Sequence, residues 1–164
     1  MSTTRGVART PQCSTRLTPA EVRALAALAE GRTTDEARKD LGGISADTFS
    51  DHLRSVGLKQ QSPPRASRAS KVNTAYESGQ LPRPDMAEPP QPIRGEDREL
   101  WIAVATQPGI RGIARAVTLS TSTAGKRVEE LMERFGAKSE PHLVTLGYAY
   151  GVLPAEAATA LAAG

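Results

Sequence analysis

Aromatic side chains make up only 4% of the 164 residues and hydrophobic ones 38%. The chain is therefore short of the groups that bury most area per residue, and part of it is not expected to enter a core. Cysteine occurs once, as Cys13, which excludes an internal disulfide and leaves no partner for a metal site. Histidine occurs twice. His52 follows Asp51 and lies close to Ser50, but neighbouring residues on a helix point in different directions, so this is no catalytic arrangement. His142 falls in the first turn of an expected helix and reads as a polar helix residue. No stretch approaches the roughly 20 apolar residues that span a bilayer. Residues 1–16 lack the apolar run of a secretory signal. These absences speak against an enzyme, a cofactor, a metal centre and a membrane protein. The expectation is a small cytoplasmic protein whose length suits one ordinary domain or two very small ones.

A strong charge of one sign is missing too. The net charge is +3, and Arg5, Arg9 and Arg16 of the acid-free tail account for it. From residue 17 onward bases and acids balance. Net charge therefore does not announce a nucleic-acid binder, and local placement has to carry that argument.

What is present falls into three textures. Residues 17–60 and 97–153 are helix-like. Residues 61–96 hold seven of the twelve prolines, and their composition predicts a flexible linker with polyproline II character. Residues 1–16 read as a disordered basic tail, and 154–164 as an Ala-rich tail. In the first block Thr18 and Glu21 form a capping pair around Pro19, and Gly31 ends the helix. A second helix starts at Thr33 and stops at Gly42-Gly43. A third starts at Ser45, with Phe49, Leu53 and Val56 inward, and is expected to stop at Gly57. In the second block Asp97 is the expected cap of a helix bearing Leu100, Trp101 and Val104. Ile110, Ile113, Ala114 and Val117 mark the next helix, and Thr118-Leu119 makes a turn. Ser120 caps a longer helix with Ala124, Val128, Leu131 and Phe135 inward, closed by Gly136. Ser139 caps a fourth, closed by Gly151. The fold class is all-α: two small helix-turn-helix domains on a linker.

From Ile113 through Thr118-Leu119-Ser120 to Phe135-Gly136, the second block resembles the LuxR/GerE-type helix-turn-helix DNA-binding domain, in register and without gaps. The resemblance covers about residues 97–153. Small Ala114 lets the scaffold helix approach its neighbour, and Leu119 plugs the turn. The resemblance implies that Thr123 and Arg127 meet the DNA backbone and that Gly125, Lys126 and Glu129 face bases. Ser122 shares that exposed face, and Lys138 stands just beyond the helix as a further phosphate contact. Gly125 replaces a frequent lysine, so the family's sequence preference does not transfer. The competing reading makes Lys126 and Arg127 a solvated face balanced by Glu129, Glu130 and Glu133.

The first block resembles the same domain through Leu17-Thr18-Pro19-Ala20-Glu21, Leu28-Ala29-Glu30-Gly31, Ile44-Ser45 and 48–53. It diverges elsewhere. Gly42-Gly43 adds a residue, Arg38 replaces a small alanine, and Asp47 and Asp51 put negative charge on the reading face. The third helix reads as about one turn shorter than its counterpart. This copy contacts either DNA or another protein. Between the blocks, Arg65, Arg68 and Lys71 form either an arm for phosphates and a minor groove or a solvated linker. The functional expectation is a nucleoid-associated bacterial transcriptional regulator bound to double-stranded DNA. The alternative is an adaptor that binds RNA polymerase, a sigma factor or another regulator. Partners open besides DNA are RNA polymerase and a second copy of the chain.

Overall fold

The computed structural model describes residues 16–62 and 66–154. Its local rules are those of capped helices. The Thr18 hydroxyl accepts the Glu21 N–H at 3.2 Å, and the Glu21 carboxylate accepts the Thr18 N–H at 2.8 Å. This reciprocal cap starts α1 (Pro19–Ala29). Thr33 and Glu36 repeat the device for α2 (Thr34–Asp40). Ser45 caps α3 (Ala46–Lys59), and Ser67 caps α4 (Arg68–Ser78). The second set comprises α5 (Gly95–Thr106), α6 (Ile110–Ala116), α7 (Thr121–Phe135) and α8 (Glu140–Ala149). Every element among the described residues is helical, so the all-α class holds.

Five expectations change. Residues 61–96 are not a featureless linker, because they contain α4. Its buried positions Ala69, Val72, Asn73 and Tyr76 fall on one helical face, and Gly79 closes it at φ +80°. Gly57 does not end α3, which runs on to Lys59. At 14 residues against 15 for α7, it is not a turn shorter. Gly57 instead lies under the Lys71 side chain, whose Cε would sit 3.2 Å from an added Cβ. Asp97 is not a cap but the third residue of α5, where it accepts the Arg94 N–H at 3.1 Å. Finally, the blocks are not separate. One continuous core runs from Leu17 to Leu153.

α4 and α8 are the centre of that core. They pack on each other, α4 also packs on α5, and α8 also packs on α1. α4 is thus the fourth helix of the first block, as α8 is of the second. An extended segment, 82–92, joins the halves across the surface and is tied down. Arg83 Nε donates to the Tyr76 carbonyl at 3.2 Å, the Ala87 N–H to the Ala149 carbonyl at 2.8 Å, and Gln91 Nε2 to the Arg134 carbonyl at 2.9 Å. No helix among the described residues is long and apolar enough to cross a membrane. The tails 1–15 and 155–164, and with them Cys13, lie outside the described residues.

Candidate nucleic-acid interface

α7 carries the candidate surface. Its start is set by Ser120, whose Oγ accepts the Thr123 N–H at 3.1 Å and donates to Thr123 Oγ1 at 2.9 Å. Ala124, Val128, Leu131 and Phe135 recur at helical spacing and are buried. The opposite face must then meet solvent. Ser122, Thr123, Lys126, Arg127 and Glu129 are all exposed there, while Gly125 is half-buried with open space above it. Lys138, two residues past the closing Gly136 at φ +73°, is exposed as well.

The charge along α7 is ordered. Its first half holds Lys126 and Arg127 and no acid, and Glu129, Glu130 and Glu133 follow. Neither Lys126 nor Arg127 takes part in an ion pair among the described residues. Arg127 borders a groove shared with Arg94, Glu96 and Glu130. The other cation of α7, Arg134, is committed elsewhere, donating to both Asp97 oxygens at 3.0 Å. Burial alone would raise the Asp97 carboxyl, but the hydrogen bonds from Arg134 and the Arg94 amide outweigh it and hold its pKa below the ordinary value. This pair clamps the end of α7 to the start of α5.

α6 leads into α7 through a tight turn. Thr118 takes a left-handed conformation at φ +60°, and the Leu119 N–H returns to the Ala114 carbonyl at 2.9 Å. Ala114 is buried beneath it. Arg111 and Arg115, four residues apart on α6, share one face and are exposed. Neither is among the contacts expected from the sequence, although their spacing is legible there.

The residues expected in a basic arm are placed differently. Arg68 opens α4, donating to Thr34 Oγ1 at 3.0 Å with its guanidinium 5.6 Å from the Phe49 ring centroid. Lys71 is half-buried, and burial together with the Arg68 charge pushes its ammonium below the ordinary value. Both therefore belong to a packed helix and not to an arm, and Arg65 lies outside the described residues. In the first half, Asp47, Ser50, Asp51 and Arg54 are exposed on α3, and Arg54 is paired to Asp51 at 3.1 Å. Arg38 is half-buried and holds its turn, donating to the Ile44 carbonyl at 2.8 Å. Trp101 is fully buried and donates to the Leu143 carbonyl at 2.6 Å, so it packs and does not stack on bases.

The class these observations define is an all-helical protein of two four-helix units with a polar, cation-bearing helix displayed on the second. No family model, curated protein or solved structure matches the chain.

Proposed function

We propose that this protein binds double-stranded DNA in a sequence-dependent manner and acts as a transcriptional regulator, with α7 in the major groove. The observation that carries the reading is the exposed first half of α7, which combines hydroxyls with two unpaired cations opposite an apolar stripe. A helix of this kind fits the major groove, where lysine and arginine meet guanine edges and phosphates. Ser122, Gly125, Lys126 and Glu129 are the residues proposed to face bases. Thr123, Arg127, Lys138, Arg111 and Arg115 are proposed to position the helix on phosphates, which orient a protein without reading sequence. Gly125 leaves room for close approach to the groove wall.

Replacing Lys126 and Arg127 together with alanine tests this. Both are exposed, so the fold should survive, with an unchanged circular dichroism spectrum. Affinity for selected duplex DNA should fall about 10-fold or more at fixed salt, and the salt slope should flatten as phosphate contacts are lost. Unchanged affinity and slope would reject the assignment. The acidic face of α3, with Asp47 and Asp51, favours a second reading in which the first half contacts a basic partner such as a polymerase or sigma factor surface. A wild-type protein that binds no duplex even at low salt would favour that reading for the whole chain.

A further inference from the structure

We infer that a single chain is the complete binding unit, and that its DNA target is an inverted pair of half-sites with unlike sequences, one met by α7 and the other by α3. This rests on the DNA-binding reading above.

The two halves correspond position by position. Ser45 and Ser120 cap α3 and α7, and each bonds a threonine three residues on with the same geometry, 2.9 Å between hydroxyls and 3.1 Å from the amide. Glu21, third residue of α1, pairs with Lys59 at the end of α3 at 2.8 Å, and Asp97, third residue of α5, pairs with Arg134 at the end of α7. Tyr76 stands nine residues past the cap Ser67, and Tyr148 nine past Ser139.

The contacts between halves are reciprocal. The Tyr76 and Tyr148 rings meet with centroids 4.8 Å apart. Tyr148 Oη donates to Asn73 Oδ1 at 2.7 Å, and the Tyr76 hydroxyl bonds Thr145 Oγ1 at 2.9 Å. Asn73 and Thr145 are equivalent positions, each six residues past its cap. The outer contacts follow the same rule. Ser67 at the start of α4 donates to the Gln107 carbonyl at the end of α5, at 3.4 Å. Gly31 at the end of α1 lies against the start of α8, where an added Cβ would stand 3.2 Å from His142 Cγ. Residue i touching j while the equivalent of j touches the equivalent of i is the signature of a twofold interface; a head-to-tail repeat would make each contact once. The halves are therefore related by an internal twofold through the α4–α8 contact.

A twofold rotation preserves the component of any direction along its axis. It therefore gives the exposed faces of α3 and α7 the same component along the axis and reverses the directions of the two helices across it. A protein with such symmetry meets duplex DNA as two half-sites in inverted orientation, about one helical turn apart. In a homodimer those half-sites are alike. Here the equivalent positions on those faces differ: Asp47 against Ser122, Ser50 against Gly125, Asp51 against Lys126, Arg54 against Glu129. Charge is reversed at the last two pairs. An acid accepts from the cytosine amino group, where a lysine or arginine seeks guanine, so the two half-sites must differ. The acids weaken the α3 contact, but the buried α4–α8 junction makes it intramolecular once α7 is bound. That junction is already buried within one chain, so no second copy is needed to supply it.

The test uses the full chain and duplexes selected from a random library, with the stoichiometry read by native mass spectrometry and the site by footprinting. The expected complex holds one chain on two unlike, inverted half-sites centred roughly 10 base pairs apart. Inverting one half-site, or inserting about half a helical turn between them, should cost at least about 10-fold in affinity. Asp51→Lys should change the preferred base in one half-site and leave the other unaltered. Two chains per duplex, or affinity indifferent to spacing and orientation, would overturn this inference while leaving DNA binding intact. A wild-type chain that selects no duplex at any salt would overturn the DNA-binding reading itself.

Discussion

Glu21 and Asp97 have side chains only 5% and 8% exposed, each held by a cation from the helix two elements on. Asp97 makes the stronger case, with two 3.0 Å bonds to one guanidinium. Removing one member of a buried pair leaves the other uncompensated, which costs about 3–5 kcal/mol when both are fully buried. Arg134 keeps 27% of its side-chain exposure, so water recovers part of that loss. Asp97→Ala is expected to destabilise the protein by about 2–3 kcal/mol in urea titrations, and adding Arg134→Ala should cost little more. Acid should act on the same pairs. Both carboxyls titrate below their ordinary values in the folded state, despite burial that by itself raises them, because of their lysine or arginine partners and backbone amides. Their stabilisation is fully present above the ordinary carboxylate pKa values of 3.8 and 4.5 and is lost as pH falls through the lower folded values. Stability should therefore fall from about pH 5 downward, and Asp97→Ala should show a shallower fall.

Elements are held at their crossings, and that of α5 with α8 leaves no room for an added side chain. A Cβ at Gly147 would stand 2.7 Å from Trp101 Nε1 and 2.8 Å from Leu153 Cδ1. The indole cannot retreat, being bonded to the Leu143 carbonyl and packed on Phe135 at a centroid distance of 5.0 Å. Alanine in place of a mid-helix glycine gains about 1 kcal/mol of helix propensity, whereas overpacking a filled core costs about 1–3 kcal/mol. Here the clash wins. Gly147→Ala should lower the denaturation midpoint and move the Trp101 emission maximum, while Gly125→Ala, with nothing within 4 Å of the new Cβ, should raise the midpoint slightly. Unchanged stability in Gly147→Ala would show that α5 and α8 are freer to separate than their packing implies.

At the scale of the whole molecule the question is whether the two halves unfold together. Tyr76, Tyr148, Val72 and Val144 are buried in a core that both halves share, so neither half can open without exposing the face of the other. Unfolding is expected as one transition. Trp101, the single tryptophan, reports the second half by fluorescence, and far-ultraviolet circular dichroism reports all helices. Their midpoints should coincide; two separated transitions would mean that the halves are independent. Proteolysis within 82–92, the extended joining segment, should leave the two pieces associated on a sizing column.

Most caps, closing glycines and inward stripes are local, and the sequence determined them by itself. Thr18, Thr33, Ser45, Ser120 and Ser139 each start a helix because a side-chain oxygen satisfies an otherwise unpaired amide within three residues. The exposed face of α7 was equally legible, since its apolar stripe fixes which residues point outward. α4 was not. Its prolines lie outside the helix, at 63–64 and from 82 on, yet they dominate the composition of the segment. Its inward residues are mostly small, so the apolar signal is faint, although Ser67 and Gly79 mark its ends. The run of α3 through Gly57 was hidden for a related reason: a glycine stops a helix only where the chain adopts a left-handed turn, and here Lys71 of α4 covers it instead. Only the tertiary structure decided that the halves join and how, because the reciprocal contacts of Tyr76 with Thr145 and of Tyr148 with Asn73 link residues about 70 positions apart, a separation over which local propensity and periodicity carry no information.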